Sequence, residues 1–237
     1  MANFKTHITV AAAVSGVLAI GCLSGGIASR NDVLLYFTLG TIGGILPDVD
    51  ADNSVPVRFL FSTLAIIFSF LMMFSKIDAY SLFELALLWM MSYLVIRYGI
   101  FTLFTHFTIH RGVFHSLLAA LFFGFCLISI CYHFGNLGKF ISWMAGAFLI
   151  LGYCTHLLLD EIYSVNLLGL TIKKSFGTAI KPISIKYYKA TVVLLLATLA
   201  VYYTTPRPDL FFHTLLDAKV YHKVKTQLLP KAGWFKL

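Results

Sequence analysis

The sequence predicts an all-α membrane protein, a polytopic helical bundle of about seven transmembrane or re-entrant helices. Three observations carry that reading. Of 237 residues, 59% are hydrophobic and 12% charged, where a soluble domain has about 45–50% and about 25%. The mean hydropathy is +0.86. The apolar residues also fall into long runs separated by short polar breaks. So little polar surface cannot cover a water-soluble globule, and the solvent for most of the chain is lipid.

The runs span Ile8–Ser29, Val33–Leu46, Val57–Ser75, Leu82–Thr105, Val113–Tyr132, Phe140–Leu159 and Ala190–Tyr203. The first follows Lys5 and continues into small residues around Cys22–Ala28, the pattern of a signal anchor rather than a cleaved signal. The second is short for a span. It carries Gly40, Gly43 and Gly44, which allow close helix packing, and it ends at Pro47, so a tilted or partly re-entrant helix is expected. Between the sixth and seventh runs, Glu161–Lys189 holds Lys173, Lys174, Lys181, Lys186 and Lys189, broken by Gly177 and Pro182. That composition fits an interfacial loop with a short amphipathic helix. The organisation expected is a membrane-embedded catalytic bundle over residues 1–205 and a tail over 206–237 with a short helix at Leu210–Leu229.

Cys22, Cys126, Cys131 and Cys154 all lie inside apolar runs without CxxC spacing, which argues against a zinc-thiolate site or a disulfide framework. The net charge is +8. No basic helix interleaves with aromatics as a nucleic-acid surface would, and the lysines flank spans, so anionic lipid head groups are the expected partner and nucleic acid is not.

The polar groups at the run ends are the informative ones. His7 opens the first run. Asp48 and Asp50 follow the second in LPDVD. His106, His110, Arg111 and His115 lie between the fourth and fifth in THFTIHRGVFHS, and His156 and Asp160 close the sixth in HLLLDE. If successive runs cross the membrane, all of these groups reach one face, whereas His133, His213 and His222 map to the other. The spacings suit a metal. His156 and Asp160, like His106 and His110, are four apart and share a helical face. Gly112 allows a bend that turns His110 and His115 the same way. Asp48 and Asp50 point together if extended. A lone interfacial histidine is usually structural, and Asp48 alone could cap a helix or form a turn after Pro47; His106, the weakest member, fits a supporting role. Together, drawn from four chain segments, the groups point to divalent metal, because carboxylates near lipid are costly without partners. Nitrogen and oxygen donors without thiolate suit zinc, manganese or iron(II).

LPDVD, HRGVFHS and HLLLD, with an N-terminal histidine, resemble the YdjM-type membrane-bound metal-dependent hydrolases over roughly residues 1–200. That family is in turn distantly similar to zinc-dependent phospholipase C and related nucleases, a fold-level analogy. The resemblance implies metal ligands at His7, Asp48, Asp50, His110, His115, His156 and Asp160, with Arg111 and Ser116 in the motif but not obvious ligands. It implies an enzyme of the inner membrane, and the ligand count, at the usual three or four protein ligands per catalytic metal, points to about two divalent ions, zinc ahead of manganese or iron. The reaction expected is hydrolysis of a lipid phosphoester, with Asp48 or Asp50 bridging the ions and an activated water attacking phosphorus. Arg111 offers a planar fork for phosphate oxygens, Glu161 could orient the water, and Lys173 and Lys174 could hold the anionic head group. Acyl-ester or amide hydrolysis uses similar metal chemistry. The alternative is a non-enzymatic metal-binding protein, either a transporter or a metal-stabilised scaffold; transporters usually place such groups near the bilayer midplane.

Two predictions follow from the sequence itself. The face carrying the cluster also carries Lys5, Arg58, Arg111 and the lysine loop, against Arg30, Lys76 and Lys139 in the short loops opposite, so it should be cytoplasmic. A cysteine placed at Lys174 should then resist a membrane-impermeant thiol reagent in intact cells, and ready labelling would reverse the orientation. Arg111→Lys keeps charge but loses the bidentate fork, so it should retain metal and melting temperature while losing about 10²–10³ in turnover. Undiminished turnover would reject a bidentate role for Arg111.

Overall fold

A computed structural model of the chain describes residues 3–50, 55–74, 76–100, 102, 113–166, 171–172, 181–184 and 187–227. The fold is helical, as expected. In chain order the helices are α1 (Phe4–Gly25), α2 (Arg30–Gly43), α3 (Val55–Phe74), α4 (Leu82–Leu94), α5 (Leu117–His133), α6 (Lys139–Ile162), α7 (Tyr188–Thr204), α8 (Asp209–Leu215) and α9 (Ala218–Gln227). A 3₁₀ turn at Leu46–Asp50 follows α2, and a π-helical segment at Val95–Ile100 continues α4. The chain forms two compact units: Met1–Pro47 with His115–Leu237, and Asp48–Phe114.

In the larger unit α6 is the central helix. Of its membrane-length stretch 61% is buried, against 22% for α1, because α6 packs on α1, α2, α5 and α8. The core is Ala19, Tyr36, Ile128, Trp143, Met144, Phe148 and Phe211, with Tyr36 stacked on Phe148 at 5.0 Å. Local signals fix the helix ends. Asn3 caps α1 by accepting from Thr6 N at 2.8 Å. Gly26, at φ 75°, closes α1 with Gly26 N donating to Leu23 O and Ile27 N to Cys22 O, a Schellman stop that favours glycine. Ser29 and Asp32 form a reciprocal capping box at α2. Ser116 caps α5, accepting from Ala119 N.

Glycine sets how closely α2 approaches its neighbours. A side chain on Gly152 of α6 would run into the Gly40 carbonyl, one on Gly43 into the Leu149 carbonyl, and one on Gly44 into Ala11 of α1. Without a hydrophobic force between helices in lipid, backbone-to-backbone approach through small residues is what holds them.

Among the described residues, three helical stretches are long and apolar enough to cross a membrane: Phe4–Gly25, Leu82–Gly99 and Lys139–Ile162. A fourth is available if α7 and α8, which meet at 88°, form one broken span. Length and composition thus support three to four of the seven expected spans. Helix α2 has 14 residues, or about 21 Å, well under a hydrocarbon core of about 30 Å. In the smaller unit α3 packs on α4, with Phe70 edge-on to Trp89 and Trp89 stacked on Tyr93.

The described part of the lysine-rich connection contains a two-residue antiparallel ladder, Val165↔Ile172 and Asn166↔Thr171, while 167–170, 173–180 and 185–186, and with them the expected amphipathic helix, lie outside the described residues. Its later part is tied down by Leu117 N donating to Lys181 O and Leu118 N to Pro182 O, which satisfies two donors in the first turn of α5. The tail holds two helices rather than one. Trp143 Nε1 donates to Pro206 O at 2.8 Å, anchoring the α7–α8 bend, and Phe211 of α8 enters the core. The chain then breaks before Asp217, whose Oδ1 accepts from Lys219 N at the start of α9.

The seam makes a stability prediction. Gly152→Ala places a methyl against backbone rather than a yielding side chain, so it should cost about 1–3 kcal/mol by overpacking and lower the melting temperature in detergent. In Gly21→Ala the new methyl meets nothing within 4 Å, so stability should hold or rise, alanine being the better helix former. Equal melting of Gly152→Ala and the parent would show that the seam can open.

Candidate metal centre

Four of the expected ligands come together at one end of the larger unit. His7 lies in the first turn of α1, where the Asn3 cap starts the helix just early enough to include it. His156 and Asp160 sit one turn apart near the end of α6. His115 directly precedes Ser116, the cap of α5. All four are buried, with exposures of 2% for His7, 0% for His156, 3% for Asp160 and 5% for His115.

The Asp160 carboxylate is the hub. Its Oδ1 lies 3.3 Å from His7 Nε2, and its Oδ2 lies 3.7 Å from His156 Nε2 and 3.9 Å from His115 Nε2. The rings of His7 and His156 stack at 3.7 Å with 13° between planes, and His115 meets His156 edge-on at 5.8 Å. Despite these approaches, neither carboxylate oxygen accepts a hydrogen bond among the described residues, and His7 Nδ1 also lacks a partner there. The 3.3 Å approach has ion-pair distance without hydrogen-bond geometry. A buried carboxylate left in that condition is costly.

His156 is oriented from behind. Its Nδ1 lies 2.8 Å from Gly44 O. A carbonyl can only accept, so Nδ1 carries the proton and donates, which turns Nε2 towards Asp160. A backbone carbonyl on the far ring nitrogen is how metal-ligating histidines are commonly fixed in tautomer and orientation.

The donor set fits a cation. One ligand atom from each of His7, His156 and Asp160 lies within 4.8 Å of the others, so these buried groups could hold a metal ion. Bonds of about 2.0–2.2 Å from nitrogen and oxygen ligands would draw the three only slightly inward. Two imidazoles and a carboxylate suit zinc, and equally iron(II) or manganese.

The other expected residues stand as follows. Asp48 is partly buried in the 3₁₀ turn and begins the second unit, and Asp50 ends the same turn. Glu161 is partly exposed, about 100° round the helix from Asp160. His106, His110, Arg111, Lys173 and Lys174 lie outside the described residues. Ser116 earns its place in HRGVFHS as a helix cap. His133, mapped to the opposite face, is there: its Nε2 is 2.7 Å from Thr204 O, joining the far ends of α5 and α7. Sequence reasoning missed the Gly44 carbonyl as a site group. Its signal was a glycine pair ending a helix, where carbonyls lose their intrahelical donors.

Neither the curated proteins nor the solved structures gave a match to this chain. The family model for the YdjM inner membrane protein matches residues 1–212, so the chain belongs to that family.

Proposed function

We propose that this chain is a membrane-embedded, metal-dependent hydrolase acting on a lipid phosphoester at the membrane interface. The observation that carries the reading is the buried Asp160 carboxylate, approached by three imidazoles and accepting no hydrogen bond among the described residues. His7, His156 and Asp160 hold the ion, with His115 beside them. A divalent ion, when bound there, supplies Lewis acidity towards a phosphoryl oxygen and activates water at neutral pH. The Gly44 carbonyl keeps His156 facing inward, and the apolar helices around the cluster keep bulk water from the carboxylate.

Depth favours an interfacial enzyme over a transporter. Counting from the ends of α1 and α6, Asp160 lies about 3 Å inside its helix, His7 about 5 Å and His156 about 9 Å. The midplane of a hydrocarbon core about 30 Å thick would be about 15 Å in, and transport sites usually sit there. At this depth the groups meet a head-group phosphate, not the acyl interior. The charge bias of the sequence supports a cytoplasmic position for this end.

Two measurements test the reading. Purified protein should contain a divalent metal, and Asp160→Asn and His7→Ala should each lose it; undiminished metal in both would remove these residues from the ligand set. Metal-replete protein should release phosphate or a phosphorylated head group from a panel of phospholipids, diacylglycerol phosphates and polyprenyl phosphates. Chelation should abolish that turnover. Bound metal with no turnover across the panel would support the non-enzymatic reading.

A further inference from the structure

The end of the larger unit away from the metal centre carries an apolar cavity of about 480 Å³ between α1, α6 and the tail helix α9. Its walls include Leu18 and Gly21 of α1, Ala147 and Leu151 of α6, and Val224 and Lys225 of α9. Gly21 is 14 residues beyond His7, about 21 Å along α1, so this is a separate site. The volume falls in the range of about 300–1,000 Å³ typical of small-molecule sites.

The lining is apolar except at α9. Val220 and Val224 face Gly25, where a side chain on the glycine would strike them, and the Lys223 ammonium reaches Gly26 at the α1 cap. That places a cation at the negative end of a helix dipole. Between Ala218 and Gln227 the helix carries Lys219, His222, Lys223 and Lys225 and no acidic residue. The lysines are exposed, and Lys225 stands on the cavity itself. An apolar slot with a basic rim matches a long hydrocarbon chain ending in an anionic group. Helix α9 lies beyond residue 212, where the family match ends, so the site is built partly by a segment the family match does not cover.

We propose that this cavity binds an anionic phospholipid, one acyl chain lying along Gly21 and Ala147 and its phosphate on Lys225. Gly21 supplies a clean test. A Cβ there meets nothing within 4 Å, and Gly21 lines the cavity, so Gly21→Leu adds its side chain at the cavity wall, and leucine is the better helix former. The full chain, purified in detergent, is titrated with phosphatidylglycerol, phosphatidylcholine and inorganic phosphate and read by native mass spectrometry, with melting temperature and metal content as fold controls. The parent should bind phosphatidylglycerol in preference to phosphatidylcholine and should not bind inorganic phosphate alone. Gly21→Leu should lose that binding with melting temperature and metal unchanged. Lys225→Ala should keep chain binding while the preference falls about fivefold, as expected for one basic residue at a membrane surface. Undiminished binding in a well-folded Gly21→Leu protein would overturn the proposal, as would equal affinity for the two lipids in the parent. Should Gly21→Leu prove unstable, Lys225→Ala and the lipid comparison still decide the matter.

Discussion

A carboxylate buried at the end of the central helix is the constraint on which the larger unit turns. Asp160 is 3% exposed, with imidazoles from α1, from the residue before the α5 cap and from its own helix gathered round it. Nothing in this arrangement favours stability by itself. Replacing buried charged groups with well-packed apolar ones is often neutral or stabilising, while removing one partner from such a group is strongly destabilising. The cluster therefore makes sense as a site rather than a staple. The enclosure of the four residues fits the same logic, since an ion held in so dry a setting would face little competition from water.

The enclosure depends on a backbone seam some distance from any ligand. Gly40 and Gly43 let α2 lie against Gly152 and Leu149 of α6, and Gly44 lets α1 close from the other side. That approach delivers the Gly44 carbonyl to His156 Nδ1. A bulkier α2 would stand off from α6, and the histidine would lose the group that fixes its tautomer. The link thus runs from small residues, through close packing, to the protonation of one ring nitrogen of His156. The short length of α2 belongs to the same design, since the helix must end where its last carbonyls can serve the site.

Much of this was legible in the sequence. The grouping of His7, His115, His156 and Asp160 came from letting each apolar run cross in turn, and the shared face of His156 and Asp160 followed from their spacing, which depends only on helix periodicity. The placement of His133 at the opposite end followed in the same way. The role of the Gly44 carbonyl did not, since a backbone acceptor has no side-chain signature. Nor did the order of burial. Helices α1 and α6 look alike in apolarity, and only packing makes one peripheral and the other central. Likewise the tail looked like one helix. The break before Asp217 depends on that side chain accepting from Lys219 N, and aspartate can equally sit exposed on a helix surface.

The two ends of the larger unit divide the physical work. At one end polar groups are concentrated, buried and pointed at one another. At the other, Trp143, Phe148 and Phe211 make an aromatic core, and a buried polar link there, Trp143 Nε1 to Pro206 O, serves to hold the chain's bend. A bundle that must keep an electrostatically frustrated cluster in shape needs its apolar packing elsewhere, because side chains around the cluster are constrained by geometry and cannot be chosen for volume. Helix α6 joins the two halves directly. Its N-terminal half supplies Trp143, Met144 and Phe148 to the core, and its C-terminal half supplies His156 and Asp160 to the site. The packing of the first half in the core anchors the helix whose second half carries the buried charge.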